Sequence, residues 1–359
     1  MITSAEQALE FFYTPAVWEF DRDAADAADA HVLTWAKDMQ LVRSQTTSTV
    51  VTSWNLGASA AAAFPHARGR GLDLVTDWIA WALFTDDLLN RADTPLPTVA
   101  SVVDETFRVL HADPRGPAPE PLRGAGQGLW SLLIRAAAQM SDEWLGRCRA
   151  DVGLFMRGIV NKFLLNASPE PPDVETALAV RADDIAISMF TNLVEYFEGF
   201  ELPMLATATG SYVRLRHTLD EAVAIQNDVF SFYRDLKNPD ADGVMNIVAA
   251  LERRHGQGTE HALLQTRAMY RDRLTALASA RDQFPGQCRA LGLDDQTVQN
   301  AEVYANTVHD MVHGMCHAHF IVAARGYMDV QSLIPPRSEL RPDFDDSTLR
   351  PSRPLHPAH

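Results

Sequence analysis

Apolar residues recur at three- and four-residue steps along most of the chain, and no stretch alternates apolar and polar positions as a half-buried strand would. The spacing predicts helices over Asp21 to Val42, Ser44 to Phe64, Gly71 to Leu89, Pro95 to His111, Leu122 to Gln139, Asp142 to Leu165 and Pro172 to Phe200. It then predicts a helix from Thr218 to Lys237, and others over Val244 to Arg254, Thr259 to Phe284 and Asp294 to about Ala324. Prolines fall between these segments and not within them, as helix punctuation should. The stretch Asp113 to Pro121, with four prolines, is a loop. Residues 1–23 carry Phe11, Phe12, Tyr13, Trp18 and Phe20 and read as an ordered arm packed on the body. From Pro335 to His359 there are six prolines in 25 residues and many charges, the composition of a disordered tail.

The pattern is all-α: a bundle of about ten to twelve helices around a deep apolar pocket. The length of 359 residues loosely suggests two domains, but no linker divides the chain. One domain over residues 1–330 is expected, followed by the tail at 331–359.

Composition removes several function classes. A net charge of −16 argues against nucleic acid or an anionic membrane as the main partner. Only Cys148, Cys288 and Cys316 are present, in no metal-like spacing, which fits a reducing cytoplasm without a disulfide framework. No basic-then-apolar leader opens the chain, and no run of about 18 apolar residues would insert in a membrane.

The chemistry concentrates in Asn227-Asp228-Val229-Phe230-Ser231-Phe232-Tyr233-Arg234-Asp235. Asn227, Ser231 and Asp235 are spaced i, i+4, i+8, and each four-residue helical step rotates only about 40°. An amide oxygen, a hydroxyl and a carboxylate therefore share one strip. These are hard donors suited to Mg²⁺, which keeps waters and substrate phosphates at its other positions. Arg234 precedes the last ligand, where a guanidinium can bind phosphate oxygens. Upstream, Asp86 and Asp87 end an apolar helix. Acids oppose the helix dipole at a C-terminus, and buried acids are costly unless paired or metal-bound. Two acids at the mouth of an apolar pocket could bridge Mg²⁺ ions.

The spacing N-D-x-x-S-x-x-x-D resembles the second metal motif of class I terpene synthases, with Asp235 where that family usually has Glu. The Asp pair resembles the same family's aspartate-rich motif, with Asn90 where the last acid usually stands and Asp93 nearby out of register. The resemblance covers about residues 50 to 330. It implies that Asp86 is the metal ligand of the first motif and that Asp87 is a secondary acid holding neighbouring arginines. It implies that Arg181, 46 residues before Asn227, senses diphosphate, that Asp184 is the linker and that Ile185 is the effector on a kinked helix. Glu195 and the stretch from Gly199 to Pro203 look like the end of that helix. Arg325 and Tyr327 match the family's C-terminal Arg-Tyr pair, with Gly326 inserted.

Read as residues alone, Arg181 is an ordinary surface arginine, and Phe64, Trp81 and Phe84 are ordinary core aromatics. With the resemblance, the three aromatics could line the pocket and stabilise cations. His309, His313 and His317 also fall at i, i+4, i+8. A transition-metal site there is less favoured than a face of neutral histidines, because no partner has ligand spacing.

The implied function is Mg²⁺-dependent ionisation of a linear prenyl diphosphate, farnesyl or geranylgeranyl, followed by carbocation ring closure, a carbon–oxygen lyase reaction. Three Mg²⁺ ions would be held by Asp86 on one side and by Asn227, Ser231 and Asp235 on the other. Arg181, Arg234, Arg325 and Tyr327 would bind the diphosphate. The expected partners are that substrate and a second copy in a homodimer, with no nucleic acid and no membrane insertion. A chain-elongating prenyltransferase would need a second D-D-x-x-D motif, which is absent. A non-catalytic helical protein with degenerate metal motifs is the other alternative.

Overall fold

Polar residues placed just ahead of apolar runs set several helix starts. Asp21 accepts from the Ala24 amide at 3.0 Å, Asp173 from Thr176 at 2.7 Å and Ser141 from Trp144 at 3.2 Å. Each side chain satisfies an amide that a helix N-terminus leaves without an internal partner. The computed structural model describes residues 9–15, 18–89, 94–237 and 245–322, and these contain helices and no strand. In order they are α1 (Arg22–Asp38), α2 (Gln45–Trp54), α3 (Leu56–Ala63), α4 (Arg70–Leu89), α5 (Leu96–His111), α6 (Gly124–Ala137) and α7 (Asp142–Asn166). The second half holds α8 (Val174–Asp184), α9 (Ile187–Glu198), the short α10 (Met204–Thr207), α11 (Gly210–Lys237), α12 (Ile247–His255), α13 (Thr259–Ala290) and α14 (Asp295–Val322). Asn90, Asp93, Arg325, Tyr327 and the 331–359 tail lie outside the described residues, as does the side chain of Arg234.

Three segments depart from the periodicity. The expected helix from Ser44 to Phe64 is two, α2 and α3, broken at Asn55 with φ 55°. Asparagine tolerates this left-handed conformation better than most residues. The expected helix from Pro172 to Phe200 is also two, α8 and α9, broken at Ala186 with φ 66°. Alanine has no local preference for that conformation, so the break is held by tertiary contacts. Ser188 Oγ donates to Asp220 on α11 at 2.6 Å, and Arg216 Nη2 donates to the Ser188 carbonyl at 2.8 Å. Finally, α13 runs through Pro285 instead of ending before it. A proline inside a helix costs about 3 kcal/mol. Phe284 and Cys288 on either side are fully buried, so packing of both flanking turns offsets that loss.

The core is built around α11, which packs against α13, α14 and α8, while α14 packs on α3, and α3 on α1. Backbones come close where glycines allow it. A Cβ on Gly314 of α14 would sit 2.4 Å from the Ala62 carbonyl oxygen of α3. One on Gly158 of α7 would sit 2.4 Å from the Asp184 nitrogen of α8.

The described part of the N-terminal arm is packed as expected. Phe12 is fully buried, stacked on Phe230 at 5.5 Å and edge-on to Tyr270 at 5.0 Å. Trp18 Nε1 donates to the Ala62 carbonyl at 2.8 Å. The histidine strip of α14 receives this arm. His313 lies 3.3 Å from Thr14 Oγ1, and His317 stacks on Trp18 at 5.6 Å and bonds the Pro15 carbonyl at 2.9 Å. His309 is buried beside Asp310. Among the described residues, no three His, Cys, Asp or Glu side chains converge as metal ligands.

Candidate active site

The oxygen strip of α11 lies on one buried helix face. Ser231 and Asp235 are buried and Asn227 is partly so. Ser231 Oγ donates to Asp235 Oδ2 at 2.5 Å, and Asn246 Nδ2 donates to the same oxygen at 2.9 Å. Asn246 also donates to the Asp228 carbonyl at 2.8 Å, and its own side-chain oxygen caps α12 by accepting from Val248 at 3.0 Å. One side chain thus starts a helix and orients the last carboxylate of the strip.

Arg181, in the last turn of α8, is buried and reaches this strip directly. Its Nη2 donates to Asn227 Oδ1 at 2.8 Å, its Nε to Asp228 Oδ1 at 2.9 Å, and its Nη1 to Asp184. The other Asp228 oxygen accepts from the Ile247 amide at 2.8 Å. Burial pushes the Asp228 carboxyl up to about 6, against the pull of Arg181.

On the far side of Asn227, its Nδ2 lies 3.3 Å from His319 Nε2. Burial, aided by the charge of Arg181, pushes His319 down to about 4, so its ring is neutral and that nitrogen can accept. A guanidinium has no acceptor. The Asn227 amide is therefore oriented by two partners of opposite character, with its oxygen toward Arg181.

The first motif joins this network through a residue outside every motif. Lys162 of α7 is fully buried, and its Nζ lies 3.1 Å from Asp86 Oδ1 and 3.0 Å from Asp184 Oδ1. A continuous polar chain therefore runs from Asp86 through Lys162, Asp184 and Arg181 to Asn227 and Asp228. Asp87 turns elsewhere. It is exposed and lines a cavity of about 940 Å³ between α2, α4, α5 and α6, together with Trp54, Phe84 and Leu88. Of the three aromatic pocket candidates, Phe84 lines this cavity. Phe64 is fully buried against Phe190 and Phe197, at 6.2 Å each. Trp81 is buried against Trp78 and Phe155, with Nε1 donating to the Ala125 carbonyl at 2.8 Å.

Ile185 caps α8, its amide donating to the Arg181 carbonyl at 2.9 Å, and the left-handed Ala186 follows. The helix break thus falls directly after the sensor, linker and effector candidates. Glu195, nearer the end of α9, is buried. It accepts from Arg147 at 2.7 and 2.9 Å and from the Leu202 amide at 2.8 Å, which closes the turn after the helix.

Lys162, Asn246, Asp228 and His319 carry much of this geometry without a role in the sequence reading. Lys162 had a usable signal. Phe155, Met156, Ile159 and Lys162 all point inward from α7 at helical spacing, and a lysine in a core register needs a buried partner. Asn246 and His319 had none, because their partners are distant in sequence.

The family model for terpene synthase family 2, C-terminal metal binding, matches residues 77–276, more than half of the chain and both metal motifs. The chain belongs to this terpene synthase family and is an enzyme. It is 28% identical to a (−)-β-caryophyllene synthase (farnesyl diphosphate cyclizing) of Saccharothrix espanaensis over 280 residues, 77% of each chain. It is 26% identical to a 7-epi-α-eudesmol synthase (farnesyl diphosphate cyclizing) of Streptomyces viridochromogenes, over 80% of this chain and 84% of that one. The fold is similar to that of an α-eudesmol synthase, with a TM-score of 0.74 and 21% identity over 86% of this chain and 97% of the other. It is also similar to a germacradien-4-ol synthase from Streptomyces citricolor, with a TM-score of 0.70 and 22% identity over 85% and 96% of the two chains.

Proposed function

We propose that this terpene synthase ionises a linear prenyl diphosphate, with farnesyl diphosphate as the preferred substrate, and closes the resulting cation into a cyclic product. The observation that carries the proposal is the contact of Arg181 with Asn227 and Asp228, continued through Asp184 and Lys162 to Asp86. The curated relatives named above, both described as cyclizing farnesyl diphosphate, support the choice of substrate.

The donor set suits Mg²⁺. Asp86, Asn227, Ser231 and Asp235 offer only oxygens, the ligands this hard ion prefers. Among the described residues, the network sets two cations, Lys162 and Arg181, against the four carboxylates of Asp86, Asp184, Asp228 and Asp235. Bound there, three Mg²⁺ ions would supply Lewis-acid neutralisation of the departing diphosphate. Arg181 would bind diphosphate oxygens with its planar fork, joined by Arg234, Arg325 and Tyr327. Arg181 holds the Asn227 oxygen, His319 pairs with the Asn227 nitrogen, and Asn246 holds Asp235, so these proposed ligands are oriented before substrate arrives. Three free thiols, all buried, support a reducing, cytoplasmic setting.

Incubation of the purified protein with geranyl, farnesyl and geranylgeranyl diphosphates and Mg²⁺ tests the proposal. A cyclic hydrocarbon or alcohol from farnesyl diphosphate is expected. A longer diphosphate would make the chain an elongating enzyme, and no turnover of any of the three would leave the fold without this activity. Asn227→Ala should lower turnover a hundredfold or more, about 3 kcal/mol of transition-state stabilisation.

A further inference from the structure

Lys162 has no place in either metal motif, yet it is the group that Asp86 of the first motif meets. Its side chain is 1% exposed, as is that of Asp184, while Asp86 remains 31% exposed. A lysine so buried is retained only where carboxylates compensate the loss of water. Here one comes from α4 and one from α8, both about 3 Å from one ammonium. Asp184 is shared, since it also accepts from Arg181. Asp86 is thus the more exposed of the two partners.

We propose that Lys162 is a built-in cation standing where metal charge is needed at Asp86, so that the first motif gains Mg²⁺ only when an anion draws the ammonium away. This rests on the terpene synthase function proposed above. The physical reason is repulsion. An ammonium beside the Asp86 oxygen and a divalent cation on the same carboxylate oppose each other across a few ångströms of poorly solvated protein. A diphosphate reverses the balance. It offers the ammonium new oxygen partners, and the four-carbon stem of lysine lets Nζ move while its backbone stays in α7. By linkage, diphosphate must then tighten Mg²⁺ binding, and Mg²⁺ must tighten diphosphate binding. Metal capture at Asp86 is in this way tied to arrival of the substrate headgroup, and Lys162 acts as a positioning residue for the metal site.

The test is Mg²⁺ titration of the full chain by calorimetry and by thermal shift, with and without saturating inorganic diphosphate. Without diphosphate, Lys162→Met should lower the half-saturating Mg²⁺ concentration at least tenfold relative to wild type. With diphosphate the ratio should shrink to about threefold or less. Lys162→Arg should keep the weak binding of wild type. The double variant Asp86→Asn, Lys162→Met should lose the gain, and Arg157→Met, which removes a mostly exposed cation from the same helix, should shift binding less than twofold. Helical circular dichroism reports folding, and Lys162→Gln replaces Lys162→Met if the latter does not fold. Equal Mg²⁺ half-saturation, without diphosphate, in folded wild type and the charge-removing variant, Lys162→Met or Lys162→Gln, would overturn the proposal, as would a gain that survives Asp86→Asn. A wild type that binds neither Mg²⁺ nor Mg²⁺ with diphosphate would instead overturn the metal-dependent function itself.

Discussion

Arg181 donates through Nη2 to the side-chain oxygen of Asn227 at 2.8 Å, so the last turn of α8 is bonded directly to the first residue of the α11 strip. The same guanidinium bonds Asp228 and Asp184 and is buried. Arg181→Lys keeps the charge but cannot serve three acceptors set by a planar fork. Turnover should fall about a hundredfold, near 3 kcal/mol. Stability should fall as well, by about 2 kcal/mol, because the Asp228 carboxylate and the Asn227 amide lose buried partners. Kinetics and urea unfolding check the pair of effects, and a variant with wild-type turnover would remove Arg181 from the diphosphate site.

Asn246 supports Asp235 of the strip and the start of α12 with one side chain. Asn246→Ala removes both, and the expected loss is about 2–3 kcal/mol, the sum of a cap and a hydrogen bond to a buried carboxylate. Asn246→Asp keeps a capping oxygen but sets a second carboxylate against Asp235. Its thermal stability should lie above that of Asn246→Ala in the presence of saturating Mg²⁺ and below or equal to it in chelator. The same melting temperature in both conditions would argue against metal at Asp235.

Gly158 lets α7 touch the end of α8. An added methyl would meet the Asp184 nitrogen at 2.4 Å and the Asp183 carbonyl carbon at 2.7 Å, backbone atoms that no rotamer change can clear. Gly158→Ala should therefore move α8 and with it both Asp184 and Arg181. A stability loss of about 1–3 kcal/mol is expected from overpacking, with turnover reduced at least tenfold because positioning errors near 1 Å cost about a hundredfold. Comparison with Gly153→Ala on the same helix, where the added methyl meets nothing within 4 Å, separates helix propensity from the clash.

His31 on α1 bonds the fully buried Asp77 of α4 at 2.8 Å, and Arg135 of α6 also bonds Asp77. The hydrogen bond to Asp77 raises the His31 pKa against the opposing pull of burial. A raised histidine stabilises the fold below its unfolded pKa near 6.5, and that stabilisation is lost as pH rises through the higher folded value. The stability advantage of wild type over His31→Gln should therefore be largest at pH 6 and shrink by pH 9. Because His31 is more than a third exposed, the difference should stay below about 1 kcal/mol. Thermal unfolding of both proteins at the two pH values decides it, and an advantage that grows with pH would reverse the assignment.

The helices, the oxygen strip on α11 and the Asp pair of α4 were legible in the chain, since each depends on spacing within one helix. The i, i+4, i+8 placement of Asn227, Ser231 and Asp235 requires only 3.6 residues per turn. The separation of Arg181 from Asn227 pointed to a shared site through family likeness alone. Their contact needed α8 and α11 to pack, and the turn at Ala186 needed Ser188 and Arg216 to meet their partners. Asp86 and Asp87 could not be told apart by periodicity, yet one meets Lys162 and the other lines a cavity. Lys162, Asn246 and His319 were decided by tertiary structure. Each is bonded to a residue at least 11 positions away, and what a polar side chain does there depends on which distant atom replaces its lost water, a quantity that local spacing does not contain.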